Sequence, residues 1–421
     1  MRGRSCEIRA VALLLCAIAG AVAAGIAGPL AAVPAAVIWW AGTRWMSDAT
    51  AGWTLGVAAA LHLALGVTGF HSNDVHRYLW EGAIQLEGID PYATAPADPS
   101  LAPFRNERFA RVTHPELPSL YPPLAQATFV VAAALGADEL AYRDGILLLN
   151  LGIAGLLVGW MRATGRPVGR AAFYAWSPLA LISAAGGHVD VVMVAALLGF
   201  AWSWESGRYR VAGCMLGGAI LAKTVAVLIL PWALWRRPAV VAWTALPIVA
   251  LGYSPYLFSG GIDGSLFTFA RQFQFNAPTY SLLTLVLGAG APLGAALLLA
   301  VWVGWLTIRE DAPADAVAMA MIGLLLLAPV VHYWYLTWFL IVLPGVRSPT
   351  LRWGGLAWAA SIAALAPTYL AIARGELLPA SGPSLFAEAL LPLCAVAFVV
   401  HRARYAAAVA RGSQGSPLHA M

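Results

Sequence analysis

Charge is scarce in this sequence. Only 11% of its 421 residues are Asp, Glu, Lys or Arg, against about 25% in an ordinary soluble domain. That scarcity excludes a water-soluble globular protein. Paired cysteines are missing as well: the four Cys (Cys6, Cys16, Cys214, Cys394) are scattered, with no metal-ligand spacing and no sign of a disulfide framework. No phosphate-cradling P-loop, dinucleotide fingerprint, HExxH or CxxC occurs. These absences argue against a soluble nucleotide as an activated donor. The sequence also shows no convincing internal repeat and no low-complexity tract.

Apolar residues fill the space. They make up 61% of the chain, with a mean hydropathy of +0.75. Surface of that kind needs lipid as its solvent, so the reading is an all-α polytopic membrane protein. The 18 Trp suit interfacial belts and substrate grooves equally. The formal charge of +5 does not point to nucleic acid, because the basic residues sit in short loops where they set topology. Arg2 and Arg4 precede an apolar run that resembles a signal peptide, but a second run follows at once, which favours an uncleaved first span.

Apolar runs cover 10–26, 29–42, 51–70, 121–137, 143–161, 171–186, 190–204, 208–222, 224–235, 239–257, 281–306, 316–331, 333–346, 353–372 and 384–400. Several are shorter than the roughly 20 residues of a full crossing. Allowing for broken or merged runs, about 11–14 crossings are expected. Arg44, Arg236, Arg237, Arg309, Arg347, Arg352 and Arg402 read as inside; the stretch around Asp74 then reads as outside. One place conflicts. Two crossings between 121 and 161 would carry Arg162, Arg166 and Arg170 outside, whereas the charge rule wants them inside. If one run fails to cross, the next ends outside at Gly187-His188-Val189-Asp190. The whole chain, 1–421, is expected to form one membrane unit with an external loop at 71–120.

That loop is the one long polar stretch between apolar runs. A helix beginning at Asp74 would place Asp74, Arg77, Tyr78 and Glu81 on one face and Val75, Leu79 and Ile84 on the other. It would be either a reactive platform in the membrane interface or a solvated salt-bridge ladder. Gly88-Ile89-Asp90-Pro91-Tyr92 ends it, and Tyr121-Pro122-Pro123 starts the next helix; Tyr92 and Tyr121 are candidate pocket residues. His188 and Asp190 pair an imidazole with a carboxylate at a helix boundary. Lys223, between two apolar runs, must snorkel, pair or bind an anion. Arg271 and His332, the latter framed by Tyr333, Trp334 and Tyr335, add donors on the same face; each alone reads as structural, but the three facing a carboxylate loop point to a phosphate site.

Asp74-x-x-Arg77-Tyr78-x-Trp80-Glu81-Gly82, then Gly88-x-Asp90-Pro91-Tyr92, His114-Pro115 and Tyr121-Pro122-Pro123, resembles the first external loop of GT-C glycosyltransferases. The nearest likeness is to the bacterial mannosyltransferase-like branch, glycosyltransferase family eighty-seven and its relatives. Gly187-His188-x-Asp190, the Lys223 segment and His332-Tyr333-Trp334-Tyr335 resemble later family positions. Two positions depart from it: the family often has an aspartate where this chain has Glu81, and an acidic residue where it has Asn73. The resemblance implies a GT-C-like helical bundle in the bacterial cytoplasmic membrane, with its site facing outward. It implies inverting transfer of a hexose, mannose first, from a polyprenyl-phosphate donor to a lipid-linked or glycan acceptor. In that scheme Asp74 is the base. Lys223, Arg271, His332 and Arg77 serve the donor phosphate, and Arg77 alternatively holds Asp74. His188, Asp190, Glu81, Tyr78, Tyr92, Tyr121, Trp334 and Tyr335 serve the sugar or acceptor. No metal or other cofactor is expected, since the carboxylates do not cluster at ligand spacing. A transporter or flippase of a lipid substrate is the other reading.

Overall fold

The computed structural model describes residues 35, 38–40, 49–257, 268 and 273–373. The runs 10–26, 29–42 (in large part) and 384–400, and Arg271, lie outside the described residues. What is described is helical, with one isolated bridge between Phe275 and Val330. Among the described residues three helical stretches are long and apolar enough to cross a membrane: Glu139–Ala163, Pro238–Tyr256 and Pro278–Arg309. The last is almost wholly unburied by protein, with Leu285, Leu293 and Val301 among its exposed side chains. Lipid is the solvent that makes such a surface tolerable.

The helices that position the site are α1 (Ala51–Gly66), α2 (Asp74–Leu86), α3 (Pro123–Ala134), α4 (Glu139–Ala163), α5 (Pro178–Ala185), α6 (Asp190–Glu205) and α7 (Tyr209–Ala222). After a 3-10 stretch at Thr224–Ile229 come α8 (Leu230–Arg236), α9 (Pro238–Tyr253), α10 (Pro278–Leu287), α11 (Ala291–Arg309), α12 (Pro313–Leu327) and α13 (Pro349–Ala373). Several sequence runs break or merge. The run at 171–186 divides into a 3-10 turn, a single helical turn and α5, and 333–346 becomes a 3-10 turn followed by a short helix.

The topological conflict resolves by length. α3 has 12 residues, about 18 Å of helix, too short for a hydrocarbon core of about 30 Å. It packs along α2 instead. α4, with 25 residues, is long enough. Its first residue, Glu139, bonds His76 of α2 and Arg108 of the loop, at the Asp74 end. Its last turn delivers Arg162 to the other end, where Arg166 and Trp160 bind Glu205. At that far end Arg236 pairs with Asp311, and the backbone N–H groups of Arg347 and Ser348 donate to Asp315. Arg162, Arg166, Arg236, Arg309 and Arg347 thus gather at one end, while Asp74, His188, Lys223 and His332 gather at the other.

α2 is a helix, as its pattern predicts, but it does not lie exposed at a surface. Both faces are buried, from Val75 through Gly82. A Cβ on Gly82 would sit 2.2 Å from the Phe129 carbonyl oxygen of α3. Backbone cannot yield as a flexible side chain does, so Gly82→Ala should destabilise the protein by about 3 kcal/mol, the upper end of overpacking costs. Thermal unfolding of the purified protein in detergent checks this; an unchanged midpoint would mean that α2 and α3 are not in contact.

Candidate functional site

Helix ends build the site. Asp74 opens α2 and Asp190 opens α6, so each carboxylate faces the positive end of a helix dipole. Lys223 follows the last residue of α7, where a cation suits the negative end. α6 and α7 form an antiparallel hairpin, and this returns Lys223 to Asp190: Nζ donates to Oδ1 at 2.7 Å. Trp338 Nε1 donates to the same oxygen at 2.7 Å. The ammonium also lies over the rings of Tyr335 and Trp338, 4.7 and 5.1 Å from their centroids. It is thereby fixed in direction while 17% of the side chain stays open to the cavity.

That cavity holds about 470 Å³, within the range of ligand sites. One part of its wall is polar: Asp74, Asp190, Lys223, His332, Tyr78 and Tyr121. The other is apolar, from Val225, Leu228, Leu299, Leu324 and Leu325. One chamber thus offers a charged head and a greasy flank.

Asp74 is a quarter exposed, and its Oδ2 lies 3.4 Å from His188 Nδ1. Burial pushes the carboxyl up, but the His188 imidazole, together with His332 and Lys223, outweighs it. The group therefore rests below its ordinary range and is ionised at neutral pH. Burial pushes His332 down to about 4 despite the pull of Asp74, so it is a neutral imidazole at pH 7. Its segment is held by backbone pairing: Phe275 donates to Pro329 O and Val331 donates to Phe275 O. Asn276, at φ 50, adds a side-chain bond to Val331 O.

Of the residues expected from sequence, Asp74, Arg77, Tyr78, Tyr121, Asp190, Lys223, His332, Trp334 and Tyr335 all line the cavity. His188 lies just behind the wall, stacked on Trp334. Three assignments change. Arg77 does not hold Asp74: its Nε donates to Glu81 at 2.8 Å, and its Nη atoms donate to the carbonyls of Thr113, His114 and Leu117. Four of the five guanidinium donors are thus engaged, leaving little for a phosphate. Glu81 is withdrawn from the cavity, buried and saturated by Arg77, Ser119 and Gln126. Tyr92 is also off the wall, its hydroxyl donating to Tyr121 O.

Trp338 and the loop at Thr113–Leu117 were not among the sequence candidates. A Trp in an apolar run carries no signal of its own. His114 had one, as a polar residue before Pro115, and it stands at φ 49 with its ring against Phe273 at the cavity wall.

No protein-family model matches this chain, and no curated protein matches it. A solved structure with some likeness is that of ArnT from Cupriavidus metallidurans bound to undecaprenyl phosphate. It shares 16% identity over 84% of this chain and 78% of that one, with a TM-score of 0.42. At that level the likeness assigns no activity here.

Proposed function

We propose that this membrane protein is an inverting glycosyltransferase of GT-C type that moves a hexose, mannose first among the candidates, from a polyprenyl phosphate to an acceptor hydroxyl. The observation that carries this reading is the two-part cavity. An ionised carboxylate and a fixed ammonium sit at its head, and an apolar wall runs along its flank. A lipid phosphate ester has the matching form. Asp74 accepts the proton of the acceptor hydroxyl as its oxygen bonds the anomeric carbon. The bond from that carbon to the phosphate oxygen breaks, and the phosphate leaves with the electron pair. Lys223 and the neutral N–H of His332 meet the charge that develops there, so the reading requires no metal. Asp190 holds Lys223, and Tyr78, Tyr121, Trp334 and Tyr335 surround the sugar. On its sequence alone, Arg271 is a further phosphate ligand in this scheme.

The gathering of arginines at the opposite end supports an orientation. By the positive-inside rule that end is cytoplasmic, and the cavity faces the other side. Polyprenyl-linked donors suit that face, since no soluble nucleotide sugar need reach it.

The test is transfer of labelled mannose from polyprenyl-phosphate-mannose to a crude lipid acceptor extract by the purified protein in liposomes. Label on the acceptor supports the reading; no label from any of a panel of polyprenyl-phosphate hexoses sinks it. In the same assay Lys223→Met should raise the donor KM about 10–100-fold, the worth of a charge-assisted bond of about 1.5–3 kcal/mol. An unchanged donor KM would remove Lys223 from the phosphate site.

A further inference from the structure

We propose that His188 is a positioning residue for the Asp74 base, donating from Nδ1 to the carboxylate and holding it in the direction of the acceptor. The inference rests on the assignment of Asp74 under the proposed function. Its basis is a side chain whose polar atoms have nowhere else to go. His188 is 1% exposed, and neither ring nitrogen has a hydrogen-bond partner. Leaving a buried polar atom unsatisfied costs about 1–3 kcal/mol. Nδ1 nevertheless stands 3.4 Å from Asp74 Oδ2, one small movement from a bond.

The ring is held from three sides. Its face stacks on Trp334 at 3.9 Å, and its edge faces Tyr333. A Cβ at Gly186 would come within 2.8 Å of the imidazole, and Gly187 turns the chain at φ +73. The Gly-Gly pair is what lets the ring lie this close to its own backbone. Trp334 stacks in turn on His332, with planes 2° apart and centroids 4.3 Å apart. One aromatic column, His188–Trp334–His332, thus links the base to a donor on the cavity wall. A proton relay does not fit, because Nε2 is buried with no acceptor beyond it. A fixed donor does.

The groups acting on Asp74 are His188, His332 and Lys223, with Tyr78, Tyr121, Tyr333 and Tyr335 beside it. His188 is the one in contact, and its interaction holds the carboxyl down. Its removal should let the carboxyl take up a proton at higher pH. A hydrophobic carbodiimide reacts with protonated buried carboxyls, so labelling of Asp74 against pH, read by mass spectrometry, measures this without any sugar transfer. His188→Phe keeps a ring on Trp334 but has no donor; His188→Gln keeps an N–H. The expected order is labelling at the lowest pH in wild type, slightly higher in His188→Gln, and highest in His188→Phe. Should His188→Phe not fold, Trp334→Leu loosens the same column and should shift labelling in the same direction. Where transfer is measured, kcat falls about 10²-fold in His188→Phe, the scale of a misplaced reacting group, with the donor KM unchanged.

Identical labelling profiles in wild type and the folded variants would overturn the proposal, whatever the transfer assay gives. A shifted profile in a protein that transfers no sugar would leave the His188–Asp74 coupling standing while the transferase reading falls.

Discussion

Asp74→Asn should abolish sugar transfer, by about 10³-fold or more, while the protein folds normally and binds its lipid donor as before. The amide has the shape of the carboxylate but cannot take the acceptor proton. General-base contributions of about 10²–10⁴-fold set the size. Little structural cost is expected, since Asp74 is a quarter exposed and its one ion pair, to His188 Nδ1, is long at 3.4 Å. Size-exclusion behaviour and thermal unfolding check the fold, and transfer kinetics check the loss. The same state sets a pH dependence. Because the Asp74 carboxyl is depressed, its basic form persists above that lowered value and is lost only as the pH falls through it. His332 stays neutral down to about 4. Neither group should therefore produce a loss of transfer between pH 7 and 5. Full activity in Asp74→Asn would move the base elsewhere in the cavity.

The second large effect belongs to Arg77, and it is on stability. Arg77 is buried, paired with the equally buried Glu81, and bonded to three loop carbonyls. Arg77→Met leaves a buried carboxylate without its cation and releases the strap at Thr113–Leu117 from the cavity wall. Breaking a buried pair on one side costs about 3–5 kcal/mol. Removing both partners, Arg77→Met with Glu81→Leu, should cost less than that, because no buried charge is left alone. Thermal unfolding of the single and double variants in one detergent compares them. A stable Arg77→Met protein that has lost only donor affinity would return Arg77 to the phosphate.

Much of this site could be read in the sequence, because charge is conspicuous in an apolar chain. Asp74, Asp190, Lys223 and His332 stood out for that reason, and all four reach one cavity. Face-sharing on a helix misled for Glu81. The i, i+4 spacing from Arg77 predicts that they are neighbours, and they are, but it does not say which way the pair turns. Ser119 and Gln126, far along the chain, draw Glu81 inward. The partner of Lys223 lies 33 positions away and depends on the helical hairpin between them. Trp338 was invisible, because its N–H bond to Asp190 and its ring under the Lys223 ammonium are both made across the fold. The doubtful crossing turned on a length that hydropathy blurred: the run 121–137 is mostly apolar, yet its helix stops after 12 residues.

The central claim is that the cavity breaks a sugar–phosphate bond on a lipid carrier. Phosphorus NMR of the protein in liposomes with a polyprenyl-phosphate hexose, followed as acceptor is added, tests it most directly. The account predicts that the phosphodiester signal gives way to a phosphomonoester, mole for mole with sugar appearing on the acceptor, and that Asp74→Asn prevents it. A diester that stays intact while the lipid redistributes between leaflets would contradict the account and make the protein a carrier of that lipid.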